Sequence, residues 1–176
     1  MPGVNDGLSA GAAAIARLRG SGAGGEGSQA GGGYYTDSVH DCTRGTGLFV
    51  HHGDCTAAEL VERPDTAAND AELTRRINQA EQAVRSRVAT RPLTQDQFDA
   101  LVSATFNLGA RGVRGVLDSA DANDDTGVIN GLHARVHAPQ HDRAGHATGR
   151  TVILPGLVTR RAMEARPFQP RPDSGR

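Results

Sequence analysis

The amino-acid sequence predicts an α+β fold, with a small antiparallel β-lobe from about residue 34 to residue 55 and a larger helical lobe behind it. The first observation is the apolar run LFVHH, which begins at Leu48 directly after the glycine-punctuated stretch TRGTG and is typical of a β-strand. The second observation is two series of residues spaced three and four apart, one from Leu73 to Val88 and one from Phe98 to Phe106, and such spacing is typical of amphipathic helices. Strands in one part of the chain and helices in another indicate the α+β class.

The N-terminal part of the chain is predicted to contain a helix, a loop and then a sheet. Residues 9–19 are predicted to be helical, because Ser9 can cap the helix and Gly20 can end it. Residues 20–33 are rich in glycine and are expected to form a loop. Residues 34–52 are expected to form the small antiparallel sheet.

Three helix starts are predicted in the middle of the chain. Thr56 is followed by Glu59 and Thr94 by Gln97, and each pair is the pattern of a capping box. Asn69 is expected to cap a long helix that continues to residue 90. The buried stripe of that helix is expected to be Leu73, Ile77, Ala80, Val84 and Val88.

The later elements follow the same periodicities. The helix that begins at Thr94 is expected to end at about Leu108, where Gly109 stops it, with an inner face of Phe98, Leu101, Val102, Thr105 and Phe106. Residues 113–119, 126–137 and 156–166 are predicted to be helical, and residues 140–150 are expected to form a polar loop. Prolines at positions 167, 170 and 172 are expected to end the ordered chain.

Composition excludes several classes of function. The formal net charge is −1, which gives no overall attraction to nucleic acid. No apolar stretch reaches the roughly 18 residues that a membrane span needs. The N-terminus has an alanine-rich run without a basic stretch before it, so no secretory signal is expected.

The histidines suggest a metal site, but their spacing argues against one. His133, His137 and His141 are four residues apart, yet Pro139 breaks a helix before His141, so the three cannot share one helical face. No Cys or His cluster has the spacing of a structural zinc site. We therefore expect neither a metal nor another cofactor.

Candidate catalytic residues lie in the stretch EGSQAGGGYYTDSVHDCTRGTGLFVHHGDC, residues 26–55. Glu26 is followed by Asp37 and, six residues later, by Thr43. A carboxylic acid on one side of a cleft and a carboxylate with a hydroxyl on the other are what glycoside hydrolysis requires. Asp41 competes with Asp37 for the second role, but only Asp37 has the D-x5-T spacing to Thr43.

At these residues the chain resembles the phage-type lysozymes, glycoside hydrolase family 24. The resemblance extends to LTQDQFDALVSATFNLG, residues 93–109, which is similar to the central helix of that family. It also includes GLVTRRAMEARPF, residues 156–168, which is similar to the family's closing helix. The three blocks occur in the family's order.

The resemblance implies a lysozyme-like fold with the substrate in a cleft between the two lobes. It implies that Glu26 is the general acid, that Asp37 and Thr43 direct a water, and that the anomeric carbon is inverted. One of Arg160 and Arg161 is expected to lie close to Glu26 in a supporting or substrate-binding role. The expected domain division is a lead-in over residues 1–25, a catalytic domain over residues 26–168 and a frayed tail over residues 169–176.

Cys42 and Cys55 flank the predicted strand, and a disulfide between them would clamp the β-lobe. Such a bridge forms only in an oxidising compartment, and two free thiols are the alternative. We expect the bridge, because a peptidoglycan hydrolase acts outside the cytoplasm.

The expected function is hydrolysis of the β-1,4 bond between N-acetylmuramic acid and N-acetylglucosamine by a monomer, in the periplasm or outside the cell, after delivery by a holin or a secretion system. The expected partners are peptidoglycan glycan strands, with an immunity or inhibitor protein as a further candidate. Two alternatives stay open. The protein could cleave a chitin-type polymer, or it could bind peptidoglycan or a partner protein without cutting, for which the long glycine-rich segment around Glu26 is the only support.

Overall fold

The computed structural model describes residues 3–21, 32–45, 47–63 and 65–170. The chain divides into two compact units. The helical unit comprises Met1–Ala14, Ile77–Arg135 and Arg160–Arg176, and the sheet unit comprises Ile15–Arg76 and Val136–Thr159. Helices together with small antiparallel sheets confirm the predicted α+β class.

The sheet unit contains a three-stranded antiparallel sheet in the order β1-β2-β3. Its strands are β1 (Tyr34–Thr36), β2 (Asp41–Arg44) and β3 (Leu48–His52). Tyr35 lies opposite Thr43, and the register between β2 and β3 shifts between Cys42 and Thr43. The sheet predicted for residues 34–52 is therefore confirmed.

A second, two-stranded sheet follows later in the chain, formed by β4 (His137–His141) and β5 (Ala147–Ile153). The sequence analysis was wrong here, because it predicted a loop over residues 140–150 and a helix as far as residue 137. Most residues of β5 are exposed. No alternation of buried and exposed side chains therefore marks the strand in the sequence, and Pro139 further weakens the strand pattern.

The β4–β5 hairpin lies directly against the end of the three-stranded sheet. The backbone amide of His141 donates to the carbonyl of Val39 over 3.1 Å, and that of Asp54 donates to the carbonyl of Arg143 over 3.0 Å. Gly53 and Gly145 both have positive φ, and a Cβ on Gly145 would lie 2.5 Å from the carbonyl oxygen of His52. Only glycine allows this close approach of two backbones.

Along the chain, one helix precedes the three-stranded sheet and two helices come directly after it. Helix α1 (Ala12–Ala16) continues into a π-helical turn at Arg17–Ser21, so it begins three residues later than predicted. Helix α2 (Ala57–Val61) has the predicted capping box of Thr56 and Glu59. Helix α3 (Thr66–Arg87) begins before Asn69, because the side chain of Asp65 accepts from the amide of Ala68. The predicted cap at Asn69 is therefore wrong, and its side-chain amide donates instead to the carbonyl of Gly32 over 2.9 Å.

The helical unit is built around α4 (Gln95–Asp121), which begins with the predicted capping box of Thr94 and Gln97. Gly109 has φ 69° and ψ 162°, so it interrupts the helix where the sequence predicts a stop. Helix α5 (Asp125–His133) follows, and helix α6 (Pro155–Ala165) ends in a 3-10 turn at Arg166–Phe168.

Aliphatic side chains fill the interior. The stripe predicted on α3 is confirmed, since all five of its apolar residues are buried. On the predicted inner face of α4 only Phe106 is half-buried, and the other four residues are buried. Among the described residues, no helix is long and apolar enough to cross a membrane.

Candidate active site

Glu26, the proposed acid, lies outside the described residues, which omit positions 22–31. The described part of the candidate site therefore consists of Asp37 and Thr43, both in the sheet unit. They lie on one β-hairpin, Asp37 directly after β1 and Thr43 within β2.

Asp37 is held by the turn that it begins. Its Oδ1 accepts from the backbone amides of Val39, over 3.0 Å, and of Asp41, over 2.9 Å. Its own amide donates to the carbonyl of Asp41 over 2.9 Å. His40 completes the turn with a φ of 63°. Two amide donors stabilise a carboxylate and fix its orientation, and its second oxygen takes no hydrogen bond from the described residues.

Thr43 lies in the interior of the sheet unit. Its residue exposure is 6%, and its hydroxyl donates to the carbonyl of Tyr35 over 3.2 Å. A hydroxyl that donates its single hydrogen still has lone pairs with which to accept one. Thr43 can therefore serve as an acceptor for a water without losing its bond to Tyr35.

Asp41 lies in β2 two positions before Thr43, and the register of β2 against β3 shifts between Cys42 and Thr43, so simple strand alternation does not relate the two side chains. Its surroundings differ from those of Asp37. The Oδ1 of Asp41 lies 2.9 Å from Nδ1 of His52 and 2.9 Å from Nδ1 of His141. The carboxylate of Asp41 thus faces two imidazoles.

Arg160 and Arg161 make their described contacts within the helical unit. The Arg161 side chain is fully buried, with its guanidinium bonded to the carboxylate of Glu164 and the side-chain oxygen of Asn107. Its Nε also donates to the carbonyl of Arg135 over 3.1 Å. Burial lowers the pKa of Arg161, and the charge of Glu164 opposes that shift.

Arg160 is less enclosed, with 29% of its side chain exposed. Its Nε donates to Glu164, four residues along the helix, over 3.1 Å. Its terminal nitrogen donates to the carbonyl and the hydroxyl of Ser103. Glu164 therefore joins both arginines, and Ser103 links them to α4.

Cys42 and Cys55 form a disulfide, as the sequence predicts, with Cα atoms 4.7 Å apart. The bridge links β2 to the segment that precedes α2. The amide of Cys55 also donates to the hydroxyl of Thr36 over 2.9 Å, so this segment is fixed to β1 as well.

The sequence analysis missed the grouping of Asp41, His52 and His141. Each comes from a different strand, and His141 lies in the hairpin that was predicted as a loop. A second group, Cys42, His51 and Glu59, also comes together. In that group the pKa of His51 is raised, first by the carbonyl of His52 and then by Glu59. No sequence spacing marks either group.

Comparison with known proteins identifies the family to which the chain belongs. The family model described as phage lysozyme matches residues 26–164, and the chain belongs to that family. No curated protein sequence matches the chain significantly.

Among solved structures, the chain is similar to the muramidase domain of SpmX from Asticaccaulis excentricus, with 26% identity and a TM-score of 0.60 over 92% of this chain and 97% of that one. It is also similar to an endolysin from the Escherichia coli O157:H7 phage FAHEc1, with 22% identity and a TM-score of 0.65 over 92% and 94% of the two chains. A third similar structure is the active form of the P1 phage endolysin Lyz, with 20% identity and a TM-score of 0.60 over 93% and 86%. The fold is thus lysozyme-like.

Proposed function

We propose that the protein is a muramidase that hydrolyses the β-1,4 bond between N-acetylmuramic acid and N-acetylglucosamine in peptidoglycan. Membership of the phage lysozyme family and the likeness to a muramidase domain support peptidoglycan hydrolysis as the general activity. The observation that supports the particular chemistry is that one hairpin carries both Asp37 and Thr43. The Asp37 carboxylate is held by two backbone amides. The Thr43 hydroxyl donates its hydrogen to the protein, so its oxygen is left to accept a hydrogen bond from a water.

In this mechanism Glu26 is the general acid and Asp37 is the general base. Asp37 and the hydroxyl oxygen of Thr43 each accept a hydrogen bond from the same water. These two bonds turn a lone pair of the water oxygen toward the anomeric carbon. The bond from that carbon to the water oxygen forms as the glycosidic bond breaks. The proton of Glu26 passes to the leaving oxygen, and a water proton passes to Asp37, so the charges balance and solvent restores both groups.

The reaction is proposed to invert the anomeric carbon, because the attacking water and the leaving group lie on opposite faces of the sugar. An inverting site needs about 6.5–9.5 Å between its two carboxyl groups, to admit the water. Arg160 or Arg161 is proposed to have a supporting or substrate-binding role, and the domain division into residues 1–25, 26–168 and 169–176 is kept as part of this proposal.

The proposed place of action is the periplasm or the exterior of the cell, where glycan strands are accessible. The Cys42–Cys55 bridge supports this, since disulfides persist in oxidising compartments. Delivery by a holin or a secretion system, a monomeric state and an immunity or inhibitor protein as partner are part of the same proposal.

The test is incubation of the protein with purified peptidoglycan, followed by turbidity and by mass spectrometry of the soluble products. We expect clearing and fragments with N-acetylmuramic acid at their reducing ends. Fragments that end in reducing N-acetylglucosamine would contradict the proposed bond. Binding to the insoluble polymer without any soluble product would identify a binding module instead, and release of oligosaccharides from chitin alone would identify the other enzyme.

A further inference from the structure

Three side chains outside the proposed catalytic set meet where the β4–β5 hairpin lies against the three-stranded sheet. They are Asp41 of β2, His52 of β3 and His141 of β4. Nδ1 of each histidine lies 2.9 Å from the same Asp41 oxygen, Oδ1. The two imidazole rings stack, with centroids 3.9 Å apart and planes inclined by 27°. One carboxylate oxygen and two ring nitrogens thus converge on one point.

A second observation singles out His141. Only 8% of its side chain is exposed. Its Nδ1 faces Oδ1 of Asp41 but is not aligned to form a hydrogen bond, and it has no other hydrogen-bond partner among the described residues. A buried polar atom without a partner costs free energy. The hydrogen bond between His52 and Asp41 leaves Nδ1 of His141 without a hydrogen bond. A carboxylate–imidazole network alone therefore does not explain why these three side chains meet.

We propose that Asp41, His52 and His141 bind a divalent transition-metal ion of the Zn²⁺ class. Imidazole nitrogen and carboxylate oxygen are both zinc ligands in proteins. Three protein ligands leave a fourth tetrahedral position for a water. The proposal goes beyond the hydrolytic function and departs from the sequence analysis, which expected no metal.

The distances are compatible with such an ion. Zinc lies about 2.0–2.2 Å from nitrogen and oxygen ligands, so two ligand atoms of a tetrahedron are about 3.3–3.5 Å apart. The two contacts of 2.9 Å to Asp41 would need to open by only a few tenths of an ångström. All three ligand atoms already lie within 4.8 Å of one another.

The neighbouring group of Cys42, His51 and Glu59 is a weaker candidate. The sulfur of Cys42 is bonded to Cys55, so it is not a thiolate ligand. His51 and Glu59 then remain as a hydrogen-bonded pair at 3.1 Å. Two ligands make a poor site, and the ion is assigned to the first group only.

The bound ion would connect elements that are far apart in the sequence. It would join β2 and β3 to β4 and so fix the hairpin on the sheet, beside the backbone bonds that already hold it. The amide of Asp41 donates to Oδ1 of Asp37. Asp41 would therefore be both a ligand of the ion and a support of the turn at Asp37. The role assigned to the ion is to hold the hairpin on the sheet, and no hydrolytic step is assigned to it.

The test uses ZnCl₂ titrated by calorimetry into protein that has been stripped with a chelator. We expect one ion per chain. His52→Gln removes one ligand from a half-exposed position and should lower the affinity about 100-fold or more, since even outer-shell changes cost about 10–100-fold. His146→Gln is the matched control, because that histidine is exposed on the same hairpin and pairs with Asp142, and its affinity should equal that of the wild type.

His141→Gln provides a second variant, and circular dichroism reports whether it is folded. Co²⁺ should give visible absorption of tetrahedral coordination in the wild type and in His146→Gln, but not in His52→Gln. The proposal is overturned if the stripped wild type takes up no ion, or if His52→Gln binds as tightly as the control. Because the readout is ion uptake, either result is independent of peptidoglycan hydrolysis.

Discussion

At the scale of single residues, Asp37 and Asp41 begin and end the same turn yet meet different surroundings. Asp37 accepts two backbone amides through one oxygen. Asp41 directs its carboxylate toward His52 and His141. A general base must be able to hold a water, and a carboxylate that is hydrogen-bonded to one imidazole and faces a second is less suited to that task. The surroundings therefore favour Asp37, as the D-x5-T spacing does.

This difference leads to a prediction for paired substitutions. Asp37→Asn should lower lysis of peptidoglycan about 100-fold or more, because it removes the proposed base but keeps the acceptor oxygen of the turn. Asp41→Asn should retain most of the activity. Both variants are assayed for turbidity loss, and their melting temperatures confirm folding. The opposite ranking of two folded variants would assign the second catalytic carboxylate to Asp41.

The sequence could predict the candidates for catalysis but not the surroundings of Asp41. Glu26, Asp37 and Thr43 follow one another along the chain, so their spacing is visible in the sequence. His141 lies 100 residues after Asp41 and reaches it only because a hairpin forms and packs on the sheet. No local pattern encodes such a contact, and the same is true of the bond between Arg161 and the carbonyl of Arg135.

At the scale of elements, capping residues and apolar periodicity were sufficient to predict most of the helices. Thr56 and Thr94 begin helices as predicted, because a hydroxyl and a following Glu or Gln satisfy amides within one turn. The strands β4 and β5 were missed because β4 contains Pro139 and β5 is almost entirely exposed, and because the hairpin is held by contacts with distant backbone. The start of α3 was misplaced because Asp65 competes with Asn69 as a cap.

The disulfide gives a prediction at this scale. It closes a loop with a sequence separation of 13, and loss of such a cross-link costs about 3 kcal/mol through the entropy of the unfolded chain. The double variant Cys42→Ala, Cys55→Ala should therefore have a lower free energy of unfolding by about that amount in urea titrations. Intact-mass measurement of the wild type without reductant should show two hydrogens fewer than the reduced chain. A variant as stable as the wild type would contradict the clamping role.

The buried cluster on α6 gives a second prediction. Glu164 is 4% exposed and accepts from Ser103, Arg160 and Arg161. Glu164→Gln leaves the guanidinium of Arg161 buried without its counter-charge, which costs about 3–5 kcal/mol. Glu62→Gln, at an exposed position, is the control and should change the free energy of unfolding by less than about 0.5 kcal/mol. Equal stability of the two variants would show that the cluster is not a buried ion pair in solution.

At the scale of the whole molecule, each unit has interior side chains of its own. Phe98, Leu101 and Val116 are buried in the helical unit, whereas Leu18, Cys42 and Leu48 are buried in the sheet unit. The boundary between the units falls within α3, between Arg76 and Ile77. The α+β class was predicted from the strand-like run at Leu48 and from helical periodicity, whereas the lysozyme-like fold was implied by the family resemblance.

The proposed reaction depends on Glu26 as its acid, and substitution of this residue tests the proposal for the whole molecule. Glu26→Gln keeps the size of the side chain but removes the proton that must reach the leaving oxygen. General acids contribute about 10²–10⁴-fold to the rate, so clearing of peptidoglycan should fall by a factor in that range. The melting temperature should stay close to that of the wild type, because the substitution is isosteric. Retained lysis in the folded variant would move the acid to another residue, whereas loss of both lysis and folding would assign Glu26 a structural role.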